Sequence, residues 1–95
     1  MESKKAVGLI EVDGVCAAFA AVDAASKAGN ITVESIERTR QGCNVCIKVK
    51  GDVSSVKASM EAAAVAAKEV SKLAKYTVIP APIDDIEKIL LYSDI

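Results

Sequence analysis

The sequence predicts an α+β domain of the ferredoxin-like kind, an antiparallel sheet with its helices on one face. Three observations predict it. Apolar residues recur with the period of a strand in four stretches and with that of a helix in two longer ones. These stretches follow one another as β-α-β-β-α-β, the split βαβ order. The helical stretches carry alanine at many inward positions, which lets a helix sit close against a sheet and against its neighbour. With 95 residues the chain can build one core of two layers, so a single domain over residues 1–95 is expected, closed by a short C-terminal helix.

Residues 5–12, KAVGLIEV, are rich in β-formers and read as the first strand, with Gly8 marking a close backbone approach. In residues 13–30 the period changes: Val15, Ala18, Phe19, Val22 and Ala25 fall at helical spacing, Asp13 is the expected cap, and Gly29-Asn30 ends the helix. Residues 31–39, ITVESIERT, and 44–50, NVCIKVK, alternate as strands, so the segment between them reads as the tip of an antiparallel hairpin. Residues 51–70 open with Gly51 and the capping residue Asp52, then place Val56, Met60, Ala63, Ala64 and Ala67 on one helical stripe with Val53. Residues 73–82, LAKYTVIPAP, give a fourth strand that Pro80 and Pro82 end. The last helix, residues 83–91, aligns Ile83, Ile86, Ile89 and Leu90, with Asp84 and Asp85 in its first turn and Lys88 late, as the helix dipole favours.

Composition removes several functions. Twelve Lys and Arg against thirteen Asp and Glu leave a formal net charge of -1, and aromatic residues make up 3%, so neither an electrostatic field nor a stacking platform favours nucleic acid. The start of the chain is too short and too charged in its apolar run for a signal peptide or a spanning helix, so no membrane partner is expected. Three cysteines argue against a disulfide framework and fit a reducing cytosolic compartment. Without histidine, proton shuttling near neutrality has no ready side chain and a cysteine nucleophile lacks its usual base; no glycine-rich phosphate loop occurs, and an enzyme is not expected.

The stretch RTRQGCNVCIKVKGDV, residues 38–53, holds the one pattern that suggests chemistry. Cys43 and Cys46 are three apart, and on a strand such residues point to opposite faces, so as a pair within one chain they make a weak metal site. Cys43 is open to three readings: a plain or packed thiol, a metal ligand or a redox-sensitive thiol, the last two favoured by the neighbouring Arg40. Cys46 reads as structural, and Cys16 as a packed thiol at the start of the first helix.

Three segments, AVGLIEVDGVCAAFAAVDAASKAGNI, VKGDVSSVKASMEAAA and YTVIPAPIDDIEKIL, resemble in order and spacing the bacterial microcompartment (BMC) shell proteins of the single-domain hexameric type, from about Ala6 to Leu90. The more specific pieces are the GLIEV-x-G opening, Asp23, the KAGN end of the first helix, the GDV entry to the second, and the closing VIP-x-P. The resemblance implies the BMC domain fold and a hexagonal tile: six copies around a central pore, tiles meeting edge to edge as the shell of a bacterial organelle in the cytoplasm. Its implied partners are copies of itself, other shell proteins, encapsulated enzymes and small polar metabolites crossing the pore. An aromatic-poor, alanine-rich slab fits that assembly, because burial of its flanks against copies adds stability its thin core lacks.

By position in the family, Arg40, Gln41, Gly42 and Cys43 line the pore, and Lys27, Asn30 and Ala81 lie at the edge between hexamers. Family members often carry arginine or another polar residue where Ala81 stands, so this chain lacks one edge contact. No cofactor is required in this reading. The alternative is a tile whose pore holds an iron–sulfur cluster or other metal through Cys43 of several subunits, as some members of the family do.

Overall fold

The chain is described by a computed structural model over residues 6–38 and 44–80. Its elements are β1 (Ala6–Asp13), α1 (Val15–Ala28), β2 (Ile31–Arg38), β3 (Asn44–Gly51), α2 (Val53–Val70) and β4 (Ala74–Ile79). The strands form one sheet in the order β2-β3-β1-β4, each pair antiparallel, as the sequence leads one to expect. The expected helix at residues 83–91, the hairpin tip at 40–43 and Ala81 lie outside the described residues.

Alternation along β1 and β3 sends Ala6, Ile10 and Val12 with Val45, Ile47 and Val49 to the helix side, where all are buried. From α2 come Val56, Met60, Ala63, Ala64 and Ala67, the stripe expected there, while Val53 packs partly buried against the same cluster. Burying a side chain such as Ile10 or Ile47 contributes about 1.5–3 kcal/mol. The molecule measures 40 × 27 × 15 Å, a slab rather than a ball.

Small residues set that thickness. A Cβ at Gly8 would lie 2.8 Å from Val56 Cγ1 and 2.9 Å from Met60 Cγ, so α2 presses directly onto the middle of β1. A Cβ at Gly29 would lie 2.6 Å from the Ser55 carbonyl oxygen, where the end of α1 meets the start of α2. The two helices therefore run antiparallel in close contact. The buried Ser59 hydroxyl ties them by donating to the Ala25 carbonyl oxygen at 2.8 Å.

Helix starts differ from expectation at one end. Asp52 caps α2 as expected: its carboxylate accepts from Ser55 N at 2.9 Å and from the Ser54 and Ser55 hydroxyls. These bonds, the backbone one foremost, hold its carboxyl below the usual range. The contribution is present above the unfolded carboxylate pKa and is lost as pH falls through the lowered folded value. Asp13 does not cap α1. It is the last residue of β1, paired with Asn44, and the chain turns at Gly14, whose φ of 96 favours glycine.

The inward stripe of α1 is also corrected. Ala17, Ala18, Ala21 and Ala25 are buried, whereas Val15 is 43% exposed and Phe19 71% exposed. The helix turns its alanines to α2 and the sheet because only a methyl fits there, and its larger residues move to the flank above β2. Strand β2 carries an irregularity between Val33 and Ser35 that leaves Glu34 unpaired, so that Ile31, Val33, Ile36 and Arg38 all share the helix side.

Replacing Gly29 by alanine should force the Ser55 backbone away and destabilise the fold by about 1–3 kcal/mol, read as a lower urea midpoint with the slope unchanged.

Candidate functional site

Register fixes what stands at the two ends of the sheet. At one end Ile31, Gly51 and Ala6 lie side by side; at the other, Arg38 and Val45 stand beside Val12, next to the hairpin that joins β2 to β3. An eight-residue strand separates them by about 25 Å. The expected edge residues Lys27 and Asn30 flank the first end, where β4 also finishes with Ile79 beside Val7. The expected pore residues Arg40, Gln41, Gly42 and Cys43 belong to the hairpin at the second end and lie outside the described residues.

Lys27 is exposed in the last turn of α1, and its Nζ sits 2.9 Å from Asp23 Oδ2 one turn earlier. This exposed i,i+4 pair draws the ammonium back one turn along α1 and contributes little to stability. Asn30 is exposed beside it.

Cys46 faces away from the helices in a row across the sheet, Glu37–Cys46–Glu11–Lys75. Glu11 accepts a hydrogen bond from Asn44 Nδ2 at 3.0 Å. Burial, then the Glu11 and Glu37 carboxylates, push the Cys46 thiol above its ordinary pKa, with Lys48 opposing. Among the described residues no three cysteine or carboxylate side chains are placed to share a metal ion. One further expectation changes, since Cys16 is exposed rather than packed; Lys48, beside Cys46 on the face away from the helices, is 4% exposed.

Sequence reasoning missed a third feature. Val15, Ala18, Phe19 and Val22 of α1 face Ile36, Arg38 and Val45 across a groove of about 280 Å³ on the β2 flank. Its walls are apolar except for Arg38. The signal was present in the spacing Val15, Phe19, Val22, a second stripe beside the alanine stripe, but it reads as core when the two are merged.

Residues 6–82 match the BMC domain family. The chain is 40% identical over 87 residues to the bacterial microcompartment shell protein PduA of Salmonella typhimurium, covering 92% of each chain. It is 38% identical to the carboxysome shell protein CcmK3 of Halothece sp., covering 94% of this chain and 90% of that one, and 34% identical to the shell protein EutM of Salmonella typhimurium, covering 94% and 92%. A crystal structure of a microcompartment protein from Desulfitobacterium hafniense shares the fold with a TM-score of 0.79 at 20% identity, over 96% of this chain and 49% of that one. The family match and these curated relatives, all shell proteins, make this chain a structural shell component and not an enzyme. The chain belongs to the BMC domain family.

The thiols should differ in reactivity. At pH 8 a maleimide or iodoacetamide should modify exposed Cys16 several-fold faster than Cys46, followed by peptide mass spectrometry. Glu11→Gln should move the Cys46 pH profile to lower pH, because one of the charges opposing its thiolate is gone.

Proposed function

We propose that six copies of this chain close into a ring, and that the rings tile into the shell of a microcompartment in the bacterial cytoplasm. Family membership supports the tile, and the groove above β2 supports the ring. A single chain leaves Phe19 71% exposed in that groove, and a neighbouring copy would cover it. A contact between two different surfaces, repeated with rotation, closes a ring instead of stopping at two copies.

In that ring the hairpin end of each sheet points inward, so Arg40, Gln41, Gly42 and Cys43 line the pore. Arg40 and Gln41 supply positive charge and hydrogen bonds that favour small anionic or polar metabolites. Lys27 and Asn30 stand at the opposite end, about a strand length away, where tile meets tile. Ala81 would add no polar contact there, which leaves the edge resting on the lysine. Other shell proteins and the enclosed enzymes are the remaining partners. No cofactor enters this function; the cluster alternative rests on Cys43 alone.

Light scattering on the purified chain should give the mass of six copies, and a mass of one copy would defeat the proposal. Lys27→Ala should keep that mass while abolishing the sheets visible by electron microscopy. Arg40→Glu should lower the flux of an anionic metabolite through assembled shells, and unchanged flux would remove the pore assignment.

A further inference from the structure

One row of side chains crosses the whole sheet on the helix side: Tyr76 pairs with Ile10, Ile10 with Ile47, and Ile47 with Ile36. Its middle is sealed, since Ile10 and Ile47 are each 1% exposed. Its two ends are open, Ile36 at 53% on the β2 edge and Tyr76 at 44% on the β4 edge. An apolar row sealed in the middle and open at both ends can be continued by a second copy.

The two ends also match in chemistry. At the β2 end the groove of about 280 Å³ has room for an aromatic ring, is walled by Val15, Phe19, Val22 and Ile36, and carries Arg38 as its one charged donor. At the β4 end stands a ring with a single hydroxyl. A tyrosine suits a pocket that is apolar at its walls and offers one donor, since the ring takes the apolar area and the oxygen accepts from the guanidinium. Aromatic residues are only 3% of this chain, yet Phe19 and Tyr76 stand exposed on its opposite flanks. Leaving both in water would forgo much of the aromatic burial available to so thin a core.

We infer that Tyr76 of each copy seats in the α1–β2 groove of the next, against Phe19 and Ile36, so that the apolar row runs on from copy to copy around the ring. The inference rests on the ring proposed above and names the contact that closes it. Phe19 and Tyr76 are the anchors of that contact, buried aromatic side chains of the kind that dominate interface energies.

Cysteine cross-linking tests it. In a chain with Cys16→Ser, Cys43→Ser and Cys46→Ser, the pair Ile36→Cys and Tyr76→Cys should oxidise to a ladder running from two to six copies on a non-reducing gel, and either cysteine alone should give no ladder. Within one chain the two positions lie three strand spacings apart, roughly 14 Å, too far for a disulfide. A ring-sized particle that yields no ladder overturns the inference and leaves the ring standing; a product that stops at two copies shows back-to-back pairing and overturns it as well. A lone chain at every concentration overturns both readings.

Should the serine background fail to assemble, dilution of the natural-cysteine chain decides. Tyr76→Ala and Phe19→Ala should each raise the concentration at which the ring dissociates by about tenfold or more, while Tyr76→Phe should do so less. Both positions are exposed in the single chain, so circular dichroism should remain that of the parent. Dissociation unchanged in both alanine variants overturns the contact.

Discussion

The distance between the helices and the sheet controls the rest of this molecule. Gly8 and Gly29 stand where any Cβ would collide, and Ala17, Ala21, Ala25, Ala63 and Ala67 fill the layer with single methyl groups. Such a layer gains good packing from close approach but little apolar area per residue. On the buried face of α1 it admits only alanines. Phe19 and Val15 are therefore displaced to the α1 flank, and the same thinness that limits the single chain leaves it with a surface to bury elsewhere.

Much of the fold is legible in the sequence because local signals agree with one another. The strand and helix periods, Asp52 as a cap and Gly8 as a close approach all point to one arrangement, and the sheet has it. The failures occur where tertiary context decides. Asp13 looks like a cap but is held in β1 by pairing with Asn44, and Gly14 makes the turn in its place. Phe19 looks like core, since periodicity reports which residues share a side of a helix and not which side has room. Lys48 alternates as a surface residue, yet its side chain is almost wholly buried.

The candidate site was legible in a different way. Lys27 and Asn30 were placed by likeness of motif, and the structure adds that Asp23 holds the lysine through an ion pair. Of the cysteine pattern, Cys43 lies outside the described residues, and Cys46, expected to be structural, is half-buried in a row with two carboxylates, where burial and then those charges oppose its thiolate. The groove escaped notice because it joins residues from two elements, Phe19 from α1 and Ile36 from β2, whose proximity no single period encodes.

The unpaired Glu34 has reach beyond its own strand. Side chains alternate strictly along an extended backbone, so one added residue inverts the parity of everything after it. In β2 that inversion turns Ile36 and Arg38 toward α1 and turns Glu37 toward Cys46. Were the same residues to pair in regular alternation with no bulge, Glu37 would face the groove and Ile36 the thiol. The bulge thus decides which side chains after Val33 line the groove and which face the opposite side of the sheet.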